Sequence, residues 1–132
     1  MPEQETLRKA ARAKREGKSS STQAGEFVRE EIHHIREGKH GARSTKQAIA
    51  IGLSKARRAG VDLKPPKRDR VSRETLQAAK RDYEVGHHPT RKASATRSKA
   101  SLKALKREGK SSASYRALSR QAKRSAPSRA AR

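Results

Sequence analysis

Glutamates and histidines stand at helical spacing in one short stretch of the chain. Glu30 precedes His33 by three residues and Glu31 precedes His34 by three, while His33 and Glu37 are four apart. On a helix, residues three or four apart share a face. Di-metal bundles, however, need such a Glu-x-x-His pair on each of two helices and two further carboxylates. This chain has one such stretch, so we predict a solvated helix face, no metal site and no cofactor.

The sequence also lacks the patterns of enzymatic sites. It contains no glycine-rich phosphate loop, nucleophile elbow or paired-carboxylate cleft. The absence of cysteine excludes disulfides, thiolate zinc sites and a cysteine nucleophile. The serines have no candidate base beside them. We therefore expect a protein that is not an enzyme and has no small-molecule substrate.

Positive charge is the dominant feature of the sequence. Lys and Arg number 35 against 13 Asp and Glu, which gives a net charge of +22. A merely soluble small domain needs a net charge of about 2–8 in magnitude. This surplus predicts a polyanionic partner that is bound through phosphate contacts and counterion release. The predicted phosphate-binding residues are Arg43, Lys46, Lys55, Arg57, Arg58, Lys64, Lys67, Arg68, Arg70, Arg91, Lys92, Arg97, Lys99, Lys103, Lys106 and Arg107.

Aromatic content helps to choose among polyanions. The chain has two Tyr, one Phe and no Trp, and RNA modules and single-strand binders usually stack bases on aromatic rings. The Ala/Ser/Lys/Arg-rich C-terminal part resembles the basic tails of linker-histone-like proteins, which coat duplex DNA. We therefore predict a sequence-nonspecific, histone-like, nucleoid-associated DNA-binding protein of the bacterial cytoplasm. An RNA- or ribosome-associated role is the first alternative.

A partner other than nucleic acid is the second alternative. An acidic protein or an anionic membrane surface would also attract this charge, and basic amphipathic helices can lie on lipid. Ile49, Ile51 and Leu53 form only a small apolar face, which argues against a membrane. No apolar run approaches the roughly 20 residues that span a bilayer. Because small helices with little core often bury their apolar faces against each other, homodimerisation stays open.

Hydrophobic content limits the size of any core. Leu, Ile, Val and Phe together number 16 of 132 residues, and a fraction below roughly 20% with high net charge is typical of disordered chains. Abundant Ala with Lys, Arg, Glu and Gln nevertheless favours helix. We predict an all-α protein of short helices with little core and a basic, largely disordered C-terminal tail. The expected divisions are an N-terminal basic helix (1–19), a small helical region (20–86) and the tail (87–132).

A repeated heptapeptide marks the expected helix boundaries. KREGKSS occurs at Lys14–Ser20 and Lys106–Ser112, and REGK at Arg36–Lys39. Gly just past a helix tolerates the left-handed cap conformation, and the following Ser residues favour a new N-terminus. The predicted helices span 3–16, 20 to a cap at Gly38, 44 to a cap at Gly60, and 72–86. Two further short helices are expected around Leu102–Leu105 and Tyr115–Ala122.

The central helices show the clearest local signals. Capping boxes are predicted at Ser20 with Gln23 and at Ser44 with Gln47, three residues apart in each pair. The apolar positions recur at helical spacing. The predicted buried stripes are Val28, Ile32 and Ile35 in the second helix, and Ile49, Leu53 and Ala56 in the third.

The third helix carries a family resemblance. Lys46–Gly60 reads KQAIAIGLSKARRAG, and it resembles the signature of a family of small, basic, uncharacterised bacterial proteins. That signature is basic-Gln-Ala-Ile-Ala-Ile-small-Leu-Ser-x-Ala-Arg-x-Ala-Gly. The resemblance implies a bacterial source and a short helical unit. It implies no particular activity.

Overall fold

A computed structural model describes residues 2–87 and 95–125, and all regular elements in these two ranges are helical. The predicted all-α class is therefore confirmed. The helices are α1 (Gln4–Arg15), α2 (Ser20–Arg36), α3 (Thr45–Arg58), α4 (Arg73–His87), α5 (Ala95–Lys106) and α6 (Tyr115–Ser125), with a 3-10 turn at Ser111–Ala113. Both short helices expected in the basic tail are present. Residues 88–94 and 126–132, which the sequence also assigns to that tail, lie outside the described ranges.

Serine hydroxyls cap four of the helix N-termini, and that of α6 is Ser114, which accepts from the Ala117 N–H at 3.1 Å. The Ser44 hydroxyl accepts a hydrogen bond from the Gln47 backbone N–H at 3.1 Å, as predicted for α3. Ser72 caps α4 in the same way, through the Thr75 N–H at 3.2 Å. The cap of α2 is Ser19, which accepts from the Thr22 N–H at 3.3 Å. Of the glycines predicted to end helices, Gly17, Gly38 and Gly60 adopt positive φ, at +75°, +79° and +96°. Gly109 in the second KREGKSS does not, and α4 continues through Gly86 to His87.

The predicted capping box at Ser20 was wrong by one residue. Ser19 has the extended backbone of an N-cap, and Ser20 is already helical. The Gln23 side-chain amide does not complete a capping box, because it donates to the Lys18 carbonyl at 3.0 Å. KREGKSS ends in two adjacent serines, and the sequence alone could not show which of them is the N-cap of α2.

The core of the described part surrounds α2, against which α1 and α3 pack, while α4 packs on α3. It consists of two apolar clusters made largely of small side chains. The first contains Ala10, Ala24, Phe27, Ala56 and Val61. The second contains Ile32, Ile35, Ala42, Ala48 and Ala113. Phe27 is the one aromatic side chain in either cluster, so the predicted thin core is confirmed.

The buried face of α3 differs from the predicted stripe. Ala48, Gly52 and Ala56 are its buried small residues, while Ile49 and Leu53 are half-buried. The reason is the closeness of α3 to α2. A Cβ atom added at Gly52 would lie 2.6 Å from the Val28 Cα, so only small residues fit along the line of contact and the larger side chains flank it.

The second KREGKSS segment packs on the loop between α2 and α3. The Gly41 N–H donates to the Leu105 carbonyl at 2.8 Å, and the Ala42 N–H to the Gly109 carbonyl at 3.0 Å. The Arg36 guanidinium donates to the Ala113 carbonyl at 2.9 Å. These bonds join the end of α5 and the 3-10 turn to the helical region that precedes them, and α6 packs on α3.

None of the helices in the described ranges combines the length and apolarity needed to cross a bilayer.

Candidate nucleic-acid interface

Most carboxylates of the α1–α4 region are paired with nearby basic groups. Glu5 lies 3.2 Å from the Lys9 ammonium and Glu16 lies 3.0 Å from the Arg12 guanidinium. The Arg12 and Lys18 side chains hold the pKa of Glu16 below its ordinary value through hydrogen bonds. Such pairing cancels much of the positive charge of this region locally.

Residues 95–125, which we call the basic arm, have a different charge balance. They carry ten basic residues and one acid, Glu108. All ten basic side chains are exposed. Nine of them form no ion pair with the rest of the described chain: Lys99, Lys103, Lys106, Arg107, Lys110, Arg116, Arg120, Lys123 and Arg124. The arm therefore presents a nearly uncompensated positive surface.

Helical spacing arranges these cations in two stripes. Lys99, Lys103 and Lys106 follow one another at i, i+4 and i+7 on α5, and Arg116, Arg120 and Lys123 do so on α6. Such positions share one helix face. Each stripe is about 10 Å long at 1.5 Å per residue. A duplex carries one phosphate per about 3.4 Å of axis on each strand, so a stripe matches about three phosphates.

The α6 stripe and Lys110 were missed by the sequence-based list of binding residues. That list followed basic density through α3, the linker and α5, and it ended at Arg107. The signal that finds the α6 stripe is the periodic spacing of Arg116, Arg120 and Lys123, which is the same as in α5.

The predicted binding residues fall into three groups. The exposed ones are Arg43, Lys46, Lys64, Lys67, Arg68, Arg70, Arg97, Lys99, Lys103, Lys106 and Arg107. Arg91 and Lys92 lie outside the described ranges. Lys55, Arg57 and Arg58 bond to other parts of the fold, although Arg58 is also exposed.

The three cations bonded within the fold position α3 against its neighbours. Arg57 is 9% exposed, and its guanidinium donates to the Leu63 carbonyl at 3.0 Å. Burial lowers the pKa of Arg57 from its ordinary value, against the attraction of Asp82. Arg58 bonds to Asp82 at 2.7 Å, and Lys55 bonds to Glu31. The acidic partners of Lys55 and Arg58 are distant in the sequence, so the density of basic residues alone could not distinguish these two from cations that are free to bind a partner.

Aromatic rings contribute little stacking surface to the described chain. Phe27 is buried in the first apolar cluster. The Tyr83 hydroxyl donates to Asp62 at 2.5 Å and its ring stacks on His87. Tyr115 is 81% exposed, with the Arg36 guanidinium 4.4 Å from its ring centroid. The exposed surface is thus suited to phosphate contacts much more than to base stacking.

The first half of the chain has a family match. Residues 4–68 match a family of unknown function, DUF6496. The match spans α1, α2 and α3 and includes the Lys46–Gly60 helix, so the predicted resemblance to an uncharacterised family is supported. The basic arm lies outside the matched residues. Comparisons with characterised proteins and with solved structures gave no match.

Proposed function

We propose that the protein binds nucleic acid without sequence preference, foremost duplex DNA, and acts as an architectural protein of the bacterial nucleoid. The observation that carries the proposal is the basic arm, in which nine exposed cations have no ion-pair partner within the described chain and only one acid is present. A net charge of +22 supplies long-range attraction to any polyanion. The arm is where that charge is available for contact.

Binding of this kind works through counterion release. Each phosphate that a Lys or Arg neutralises frees condensed cations, so the affinity depends on the number of contacts and falls steeply with salt. The stripes on α5 and α6 supply two sets of three contacts. The exposed cations of the α3–α4 linker, Lys64, Lys67, Arg68 and Arg70, extend the positive surface.

The basic arm is held in place by the rest of the fold, which favours binding. The backbone bonds from Gly41 and Ala42 hold the turn between α5 and α6 on the α2–α3 loop. A surface that is positioned before it meets its ligand loses less conformational entropy on binding than a free chain does. The shortage of exposed aromatic rings favours a duplex over a single strand.

The proposal is tested by fluorescence anisotropy with a labelled DNA duplex and a structured RNA of equal length, over about 50–300 mM salt. The diagnostic variant is R116Q/R120Q/K123Q. Its matched control is R8Q/K14Q/R15Q, which removes three exposed cations from α1 that form no ion pair with the described chain. The arm variant should reduce the slope of log affinity against log salt by about three units. The control should change it much less.

Each other outcome argues against a stated part of the proposal. Equal effects of the two triple variants would mean that net charge alone acts and that the arm is not the interface. Tighter binding to the RNA would indicate an RNA- or ribosome-associated protein. If neither nucleic acid binds at physiological salt, the proposal fails, and an acidic protein or anionic lipid becomes the partner to test.

A further inference from the structure

A carboxylate and two imidazoles meet in the interior, beneath the loop on which the basic arm packs. Glu31 on α2 is fully buried, His34 on the next turn is 8% exposed, and the His40 side chain in the α2–α3 loop is 7% exposed. One ligand atom from each of the three lies within 4.8 Å of the others. Buried ionisable groups of this kind need partners that satisfy them.

His40 directs an unshared electron pair into this cluster. Its Nδ1 lies 2.9 Å from the Gly41 carbonyl oxygen, which can only accept, so the hydrogen bond places a proton on Nδ1. In the neutral imidazole, Nε2 then carries the lone pair. That nitrogen lies 3.1 Å from the Glu31 Oε2. Two electron-rich atoms at this separation require a cation or a proton between them.

Glu31 leaves one of its two oxygens without a hydrogen bond. Its Oε1 is bonded by the Lys55 ammonium. Its Oε2 is buried and accepts no hydrogen bond from the described chain. A buried, unsatisfied carboxylate oxygen is strongly unfavourable. Lys55 therefore fixes the orientation of the carboxylate, while the oxygen turned towards His40 remains available to a ligand.

His34 is oriented in the manner typical of metal-binding imidazoles. Its Nε2–H donates to the Glu3 carboxylate at 3.2 Å, so in the neutral imidazole Nδ1 carries the lone pair. Nδ1 lies on the side of Glu31, 4.0 Å from its Oε1. Metal-bound histidines commonly donate their second nitrogen to a carboxylate in this way. The His34 and His40 rings approach edge to face, with an interplanar angle of 80°.

The sequence predicted a solvated face and no metal site here, but Glu31 and His34 are buried. We propose that Glu31, His34 and His40 form a binding site for a divalent transition-metal ion, with zinc as the best fit. Two imidazole nitrogens and one carboxylate oxygen are a donor set that zinc uses in proteins. A tetrahedral ion with ligands at about 2.1 Å holds neighbouring ligand atoms about 3.4 Å apart. The His40 Nε2 and the Glu31 Oε2 are 3.1 Å apart, and the three ligand atoms lie within 4.8 Å of one another, so small side-chain movements would complete this geometry. The site is independent of the proposed binding of nucleic acid.

The surroundings provide access and a suitable charge. His40 lines a surface cleft bounded by residues 38–41 on one side and by Lys106 and residues 108–110 on the other, so one ligand of the site lies next to solvent. Three carboxylates (Glu3, Glu30 and Glu31) face two ammonium groups (Lys39 and Lys55) around the imidazoles. This local excess of negative charge suits a cation, in contrast to the rest of the chain.

A second grouping, of Glu3, Glu30 and His34, is the weaker candidate. Glu3 is half-exposed, and its carboxylate already accepts bonds from His34 and from Lys39. These hydrogen bonds, that of His34 first, lower the pKa of Glu3 from its ordinary value. Glu3 is therefore assigned as the group that orients His34.

The site is tested by isothermal titration of the tag-free, chelator-treated full chain with Zn²⁺, in the absence of nucleic acid. The wild type should bind one ion. H40Q, a change in a loop, should bind at least about tenfold more weakly. The matched control is H33Q. His33 lies on α2, like Glu31 and His34, but its side chain is exposed and pairs with Glu37 at 2.7 Å. Its affinity should equal that of the wild type.

Two further readouts separate ligation from folding. Co²⁺ should produce the visible absorption of a tetrahedral site in the wild type and H33Q but not in H40Q. Zn²⁺ should raise the midpoint of thermal unfolding of the same two proteins. Circular dichroism establishes that each variant is folded. Absence of zinc binding to the wild type, or equal affinities of H40Q and H33Q, would overturn the proposal. A hydrogen bond through a shared proton would then join His40 to Glu31.

Discussion

At the scale of single residues, the hydrogen bond from Tyr83 to Asp62 ties α4 to the segment that follows α3. The phenol donates to the carboxylate at 2.5 Å. This bond raises the pKa of Tyr83 above its ordinary value of 10.0. Because the neutral phenol is the favoured form in the folded chain, its contribution to stability is fully present below the unfolded pKa. It is lost as the pH rises through the higher, folded pKa.

We predict that Tyr83 ionises above pH 10 and that D62N lowers its midpoint. Tyr83 and Tyr115 are the two tyrosines of the chain, so Y115F isolates the signal of Tyr83. The measurement is tyrosinate absorbance during an alkaline titration in the Y115F background. D69N is the control, since it removes an exposed carboxylate from the same linker with the same change of charge. Equal midpoints for D62N and D69N would show that the hydrogen bond has no part in the shift.

Residue roles could be predicted where their causes are local. Ser44 and Ser72 cap their helices because a hydroxyl and an N–H three residues later meet in any such turn. The roles of Lys55 and Arg58 could not be predicted in this way. Their partners, Glu31 and Asp82, are brought to them only by the packing of α3 against α2 and α4.

At the scale of elements, the contact between α2 and α3 depends on the absence of a side chain at Gly52. Glycine inside a helix is disfavoured by about 1 kcal/mol relative to Ala. From the sequence alone, Gly52 is therefore expected only to destabilise α3. The structure gives it a packing role, because a Cβ there would lie 2.6 Å from the Val28 Cα and 2.9 Å from its backbone N. The sequence predicted helix α3 correctly. It could not predict which side of α3 faces α2, because that depends on how closely the two helices approach.

We predict opposite effects for two Gly→Ala changes on neighbouring helices. G52A should lower the free energy of unfolding by about 1–3 kcal/mol, because the backbone of α2 must move. G25A is the matched control, since its Cβ would meet nothing within 4 Å. It should raise the free energy of unfolding by about 0.5–1 kcal/mol through helix propensity. The measurement is urea unfolding followed by circular dichroism. If G52A were as stable as G25A, the close helix contact would be absent in solution.

At the scale of the whole molecule, charge is separated along the chain. Residues 1–84 contain twelve of the thirteen acids, while the rest contains one. Composition predicted this asymmetry and the helical class. It did not predict that the basic arm packs on the α2–α3 loop, because the bonds there join backbone groups such as the Gly41 N–H and the Leu105 carbonyl. Backbone pairs of this kind leave no periodic pattern in the side chains.

The attachment of the arm should depend on Gly41. A Cβ at this position would lie 1.9 Å from the Glu108 carbonyl oxygen and 2.4 Å from that of Gly109, so G41A should push the arm away from the loop without changing any charge. The arm is rich in Lys and Arg, and trypsin should therefore cleave it faster in G41A while α1–α3 keep their protection. G109A provides the comparison, because its Cβ would meet nothing within 4 Å. Equal cleavage rates in the two variants would mean that the arm is already detached in solution, and its cations would then act as a free chain.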